Sequence, residues 1–97
     1  MNKIIIVDID NTICQTIDAD YEKSIPIQEN IDKINKLYDE GNTIIYWTSR
    51  GFTTGLDWFS LTEFQLNKWA CKYHELKLDK PQYDLFIDDK SKRIEDI

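Results

Sequence analysis

Two aspartates, Asp8 and Asp10, are the residues of this sequence best placed to do chemistry. They follow an apolar run, Ile-Ile-Ile-Val at 4–7, and are separated by a single residue. In an extended chain alternate side chains point to the same side, so the two carboxylates face one way. Two like charges this close repel unless a cation or a shared proton lies between them. The pair therefore predicts a metal or catalytic site. The simpler alternative is a solvated turn after a strand.

Other polar side chains follow two further apolar segments. Segment 43–47 is followed by Thr48, Ser49 and Arg50. Segment 83–87 is followed by Asp88 and Asp89. Clustered carboxylates suit a hard cation such as Mg²⁺. A hydroxyl or an ammonium group can hold phosphate oxygens. A carboxylate beside a metal can attack phosphorus, and a second carboxylate can move the proton.

The elements that must position these residues alternate between strand and helix. Apolar runs bounded by turn residues predict strands, and apolar residues at helical spacing predict helices. The predicted strands cover 3–9, 43–47, 75–78 and 83–87. The alternation predicts an α/β protein with a parallel sheet and right-handed crossovers. All the polar clusters then lie at one edge of the sheet.

Two helices are predicted between these strands. Pro26 opens the first, where its missing N–H costs nothing, and Gly41 closes it in a left-handed conformation. A capping box, Ser60-Leu61-Thr62-Glu63, starts the second helix. Its apolar face is Leu66, Trp69, Ala70 and Tyr73. The segments 13–25 and 51–59 are predicted to be irregular, the first as a small flap over the strand edge.

Composition and charge limit the class of protein. The 97 residues are expected to form one domain, 1–97, with a single core. The net charge of −6 works against binding to nucleic acid or anionic membranes, although a bound cation would still admit a small anionic substrate. Cys14, Cys71 and His74 do not have zinc-site spacing. No signal-peptide pattern and no stretch of transmembrane length is present, so a cytoplasmic setting without membrane contact is expected.

With these motifs the sequence resembles the haloacid dehalogenase (HAD) superfamily of phosphohydrolases. The family's four motifs occur in order: acid, any residue, acid, any residue and Thr at 8–12, a Thr at 48, a Lys upstream of the last motif, and paired acids at 88–89. Lys80 fits the third motif best, because Pro81 fixes its turn. The competing lysines are Lys72, Lys77 and Lys90. The segments between motifs are too short for a cap domain, so the resemblance is to small capless members, similar to phosphatases of capsule or surface-sugar biosynthesis.

The resemblance implies a Rossmann-like three-layer sandwich and a Mg²⁺-dependent phosphomonoester hydrolase that works through an aspartyl-phosphate. Asp8 would be the nucleophile and a metal ligand. Asp10 would be the general acid/base, and its backbone carbonyl would touch the metal. Asp88 would ligate Mg²⁺ directly, with Asp89 in contact with the metal or just behind its ligands.

The resemblance also implies which residues hold the phosphoryl group. Thr48 and Lys80 would bind it, and Ser49 is a further candidate. Arg50 would either bind a second anionic group of the substrate or form a salt bridge to an acidic loop.

The expected substrate is a small phosphorylated metabolite such as a sugar phosphate. The alternatives are a phosphatase for polynucleotide or protein-borne phosphate, and a non-catalytic binding domain like a phospho-receiver. The acidic charge and the absence of a basic stripe count against nucleic acid. The aromatic loop at 52–59 and a bare sheet edge also predict a homo-oligomer, in which a neighbour covers the edge or roofs the site.

Overall fold

The computed structural model describes residues 2–97. The protein has a central parallel sheet of three strands. In chain order the elements are β1 (Ile4–Val7), β2 (Cys14–Gln15), β3 (Ile25–Pro26), α1 (Gln28–Asp39), β4 (Thr43–Trp47), α2 (Phe59–Lys68) and β5 (Glu75–Lys77). The sheet has the order β1-β4-β5, and both neighbouring pairs are parallel. The predicted α/β class and parallel sheet are therefore confirmed.

The core lies between one face of this sheet and both helices. Ile44 and Tyr46 of β4 are fully buried on that face, in register with Ile5 and Val7 of β1. The helices contribute Ile31 and Ile34 from α1 and Leu66 from α2. Both crossovers step across the sheet in the same direction, and right-handed crossovers of that kind place both helices on the same face.

No helix of residues 2–97 covers the opposite face of the sheet. Ile4 and Ile6 of β1 point to this face and are 71% and 58% exposed. The three-layer sandwich implied by the family resemblance is therefore wrong for residues 2–97, which form two layers. The missing layer would need a crossover on the other side of β1, and the described part of the chain makes none.

The predicted flap is a small antiparallel pair. β2 and β3 pair Cys14 with Pro26 and Gln15 with Ile25, and a short 3₁₀ helix, Tyr21–Lys23, lies between them. Pro26 therefore belongs to a strand, and the prediction that it opens α1 is wrong. The helix starts two residues later because the N–H of Ile27 donates to the carbonyl of Ile13, 2.8 Å away, which keeps the chain extended.

The helix ends differ in how well local pattern predicts them. Gly41 has φ 95° and closes α1 as predicted. α2 begins at Phe59, whose N–H donates to Asp57 Oδ1 at 3.0 Å, so Ser60 is inside the helix and the capping-box prediction is wrong. Ala70, with φ 57°, ends the helix before its apolar face can continue to Tyr73. None of the helices in residues 2–97 is long and apolar enough to cross a membrane.

The segment 83–87 is not a strand, and that prediction is wrong. Leu85 and Ile87 are 74% and 86% exposed, and no strand of residues 2–97 pairs with the segment. Its aromatic residues Tyr83 and Phe86 pack edge to face instead, with ring centres 5.4 Å apart. An apolar run has strand character only where a neighbouring strand accepts its hydrogen bonds. Asp88 and Asp89 consequently do not end a strand of the sheet.

Candidate active site

A cleft of about 370 Å³ opens at the carboxyl ends of β1 and β4. In α/β sheets this edge is where ligands bind. The cleft is lined by charged and hydroxyl side chains that could take part in a reaction: Asp8, Asp10, Thr48, Ser49, Arg50 and Lys80. Its rim includes Asn11, Tyr21, Gln82 and Tyr83. The first, second and third predicted motifs are thus brought together.

Asp8 is held by the tight turn that follows β1. Asn11 adopts φ 61°, which Asn tolerates better than most residues, and the N–H groups of Thr12 and Ile13 both donate to the carbonyl of Ile9. The turn brings the Thr12 hydroxyl to Asp8 Oδ2, to which it donates at 3.3 Å. The Asp8 side chain remains 35% exposed. Its carboxylate is therefore fixed in place and open to a ligand in the cleft.

Lys80 is the lysine that the fold brings to Asp8. Its side chain is 9% exposed, and Nζ lies 3.5 Å from Asp8 Oδ1. The backbone N–H of Lys80 donates to the carbonyl of Thr48 at 3.3 Å, which fixes the turn to the end of β4. The competing Lys72 lies elsewhere, paired with Asp39 at 2.8 Å. The ammonium of Lys80 can contact an anion bound to Asp8.

Thr48 and Ser49 differ in what their hydroxyls can do. Thr48 is 1% exposed, and its Oγ1 accepts the backbone N–H of Arg50 at 3.2 Å, so its own proton is free to be donated to a ligand. The Ser49 hydroxyl already donates to the carbonyl of Pro81 at 3.1 Å. Ser49 therefore ties the end of β4 to the Lys80 turn, while Thr48 keeps a donor for an anion.

All five N–H donors of Arg50 are used inside the protein. Nε and Nη2 donate to the two carboxylate oxygens of Asp10 at 3.1 and 2.9 Å. Nη1 donates to Thr62 and Gln65 at 3.0 and 2.6 Å, and Nη2 also reaches Ser24 at 3.4 Å. The side chain is 0% exposed. Of the two roles expected for Arg50, the structure places it in a salt bridge to Asp10 and leaves it no donor for a substrate anion.

Asp10 has a second set of partners in the flap. The Thr16 hydroxyl donates to Asp10 Oδ1 at 2.6 Å, and Ser24 lies 2.6 Å from Thr16. Because Thr16 has one hydroxyl proton, Ser24 is the donor in that second bond. Cys14 lies 3.7 Å from Asp10 Oδ1. Burial raises the pKa of this thiol, so it stays protonated at neutral pH and is a poor nucleophile.

Sequence reasoning missed the residues that surround Arg50. Tyr21 covers the guanidinium, with the ring centre 4.7 Å from Cζ, and burial raises the pKa of its hydroxyl. Thr62 and Gln65 are polar, yet both are buried on the face of α2 that carries Leu66. Two polar residues on a buried helical face were the available signal. Assigning Thr62 to a capping box obscured it.

The structure does not bring Asp88 and Asp89 to the cleft. Both are exposed, and neither lines it. Within residues 2–97 no group of three or more His, Cys, Asp or Glu side chains is arranged to hold a metal ion. Of the predicted ligands that line the cleft, Asp8 presents a carboxylate that Arg50 does not occupy, whereas both carboxylate oxygens of Asp10 accept from Arg50. The four predicted Mg²⁺ ligands are therefore not all brought together: Asp8 and Asp10 line the cleft, but Asp88 and Asp89 do not, because segment 83–87 pairs with no strand of residues 2–97.

Comparison with known proteins supports the fold. A crystal structure of a protein from Vibrio cholerae is similar to this chain, with a TM-score of 0.89 and 25% sequence identity over 97% of this chain and 85% of that one. No protein-family model matches the sequence, and no curated protein matches it. The chain is a small α/β protein whose parallel sheet and helices are consistent with a Rossmann-like fold.

Proposed function

We propose that this protein is a phosphomonoester hydrolase of the HAD type that works through an aspartyl-phosphate on Asp8. The observation that supports this is the grouping of an open carboxylate, a free hydroxyl proton and a buried ammonium in one cleft. They belong to Asp8, Thr48 and Lys80. A carboxylate can attack phosphorus, and the other two groups can hold the phosphoryl oxygens.

The reaction has two steps. In the first, an oxygen of Asp8 bonds to phosphorus, the bond to the leaving oxygen breaks, and a proton from Asp10 goes to that oxygen to give an alcohol. In the second, water attacks the aspartyl-phosphate, its proton passes to Asp10, and inorganic phosphate leaves Asp8. Proton transfer of this kind contributes about 10²–10⁴-fold to rate. Lys80 and Thr48 neutralise and orient the phosphoryl group in both steps.

The charges at the cleft support a requirement for a metal ion. Asp8 faces the phosphate with a negative charge, and the N–H donors of Arg50 are all taken by groups of the protein. Among residues 2–97, Lys80 is the cation at the cleft that remains to meet a phosphate dianion. A divalent cation would supply the missing positive charge. Mg²⁺ dependence is thus part of the proposal, and the proposed steps above use only the side chains of the cleft.

The size and charge of the protein favour a small substrate. A cleft of about 370 Å³ is near the lower end of the range for small-molecule sites. A net charge of −6 disfavours polynucleotides. The substrate class proposed is therefore a small phosphorylated metabolite, such as a sugar phosphate.

The test is phosphate release from p-nitrophenyl phosphate and from a panel of sugar phosphates, nucleotides and phosphorylated lipid precursors. Wild type is expected to turn over with Mg²⁺ and to stop in excess chelator. Asp8→Asn should abolish turnover. Asp18→Asn is the matched control, because it makes the same chemical change at an exposed flap position.

Three results would contradict the proposal. Full activity in excess chelator would remove the metal requirement, and near-native turnover by Asp8→Asn would show that the nucleophile is misassigned. A stable phosphorylated protein that releases no phosphate would indicate the receiver-like alternative.

A further inference from the structure

Arg50 connects Asp10 to α2 and to the flap. We infer that Arg50 is a positioning residue, which holds the carboxylate of Asp10 in the orientation needed to protonate the leaving group, and that it does not bind phosphate. The inference rests on the proposed function of the cleft. It assigns to Arg50 an effect on both proton transfers of Asp10, the one to the departing alcohol and the one from the attacking water.

The first support is that the guanidinium has no capacity left for a ligand. Its five donors are taken by Asp10, Ser24, Thr62 and Gln65, and the ring of Tyr21 covers it. A phosphate could bind Arg50 only by displacing a buried partner. A buried polar group left unpaired costs about 1–3 kcal/mol, so displacement opposes binding.

The second support is the way donors are distributed on Asp10. A carboxylate offers about four lone-pair positions. Arg50 takes one on each oxygen, and Thr16 takes the other on Oδ1. One position remains, on Oδ2. The catalytic proton must sit there, so these donors decide which atom of Asp10 delivers it.

The third support is that Arg50 is itself rigidly held. Its bidentate contact with Asp10 fixes the plane of the carboxylate as a single contact would not. Thr62 and Gln65 of α2 hold Nη1 from the far side. The Thr62 hydroxyl donates in turn to the carbonyl of Trp58 at 2.7 Å, so the guanidinium is anchored to the start of α2.

The experiment compares two substrates that differ in their need for a general acid. p-Nitrophenyl phosphate has a leaving group that departs without a proton, whereas glycerol 3-phosphate has an alkoxide that needs one. The value of kcat/KM is measured for wild type, Arg50→Lys, Arg50→Gln and Asp10→Asn. Arg93→Gln is the matched control, because Arg93 is exposed and its ion pair with Glu95 lies outside the cleft.

We expect both Arg50 variants to lose much more activity on glycerol 3-phosphate than on p-nitrophenyl phosphate, by a ratio of about 10-fold or more, within the 10²–10⁴-fold range of general acid catalysis. A lysine keeps the positive charge but cannot make the bidentate contact with Asp10. The activity of Arg50→Lys on glycerol 3-phosphate relative to p-nitrophenyl phosphate should therefore stay below that of wild type. In the Asp10→Asn background, Arg50→Gln should cost nothing further on glycerol 3-phosphate. Arg93→Gln should leave both substrates unchanged.

Equal losses on both substrates would overturn the inference, because they would indicate phosphate binding or general disruption. Additive losses in the double variant would overturn it as well.

If the Arg50 variants do not fold, as judged by circular dichroism, Thr16→Val decides: it removes a donor to Asp10 and should give the same substrate-dependent loss. A wild type that releases no phosphate from any substrate overturns the proposed function and this inference together, whereas an active wild type with equal losses overturns only the inference.

Discussion

Lys80 and Arg50 carry the positive charges at the cleft, but their contacts leave them different freedom. Arg50 is committed to Asp10, whereas the ammonium of Lys80 faces the cleft with one carboxylate at 3.5 Å. The aromatic rings of Tyr83 and Phe86 lie 4.9 and 6.0 Å from Nζ and pack near the end of the stem. Only Lys80 can change partner when an anion arrives.

Replacing Lys80 with Met should therefore impair phosphate binding without loss of packing. The Met side chain keeps an apolar stem, and the lost hydrogen bond involves a charged group worth about 1.5–3 kcal/mol. We expect kcat/KM on p-nitrophenyl phosphate to fall by about 10–100-fold. Lys77→Met, at an exposed position beside Trp47, is the control. Equal kinetics for the two variants would exclude Lys80 as a phosphate ligand.

Tyr46 carries a polar atom that the fold does not satisfy. Its side chain is 0% exposed, and among residues 2–97 its hydroxyl makes no hydrogen bond of normal geometry, the weakly bonding thiol of Cys71 being its polar neighbour. Tyr46→Phe removes that atom and keeps the edge-to-face contact with Tyr73, whose ring centre is 5.7 Å away. An unpaired buried hydroxyl costs about 1–3 kcal/mol, so the denaturant midpoint should rise.

Tyr83→Phe is the comparison for Tyr46→Phe, because it removes a hydroxyl from a residue that is 45% exposed. Its midpoint should not move. A fall in the midpoint of Tyr46→Phe relative to this control would mean that the hydroxyl has a bonded partner in solution.

The two helices end by the same hydrogen-bond pattern with different residues. In α1, the N–H of Gly41 donates to the carbonyl of Tyr38, and the next N–H donates to Leu37. In α2, the N–H groups of Ala70 and Cys71 donate to Asn67 and Leu66 in the same way. The pattern requires a left-handed residue, which Gly adopts without strain and Ala does not.

Ala70→Gly should stabilise the protein, and Gly41→Ala should destabilise it. Left-handed backbone costs a non-Gly residue roughly 1–2 kcal/mol, partly offset by the greater freedom of Gly in the unfolded chain. A Cβ at Gly41 would meet only Asn2, 3.7 Å away, so backbone strain alone is tested there. Urea midpoints measure both changes. Shifts of the same sign for the two variants would contradict the explanation.

Sequence pattern was sufficient where burial alternates along a short segment. Thr43–Trp47 was predicted residue for residue because it is a short apolar run bounded by turn residues, and in the structure its alternate side chains are buried. Asp8, Asp10 and Thr48 were brought to one edge because parallel strands place their ends together.

Pattern was insufficient where a distant partner decides the outcome. The apolar run 83–87 has strand composition, but no neighbouring strand pairs with it. The role of Arg50 depends on Asp10 and Gln65, 40 and 15 residues away in sequence. No local signal near Arg50 indicated that its donors would be used up.

The whole molecule carries its helices on one side of the sheet and leaves apolar side chains on the other. Ile4 and Ile6 are 71% and 58% exposed on the uncovered face, and β1 has a strand neighbour on one side only among residues 2–97. Soluble proteins rarely leave such apolar surface or a bare strand edge in water. The arrangement favours association with another molecule.

We therefore expect self-association, with a second copy covering the edge and face of β1. Light scattering should show a mass above that of one chain, increasing from low to high micromolar concentration. Ile6→Lys should shift the protein toward the monomer, since a charge on the shared surface opposes contact and a 58% exposed side chain contributes little to the core. The control is Glu63→Lys, which introduces the same charged residue at an exposed position of α2, away from the sheet. Lys3→Glu is not a suitable control, because Lys3 adjoins the same edge of the sheet. A wild type that remains monomeric throughout would contradict this expectation. If that monomer is also fully active when dilute, the cleft works while open to water, as it would on a phosphate carried by a bulky substrate.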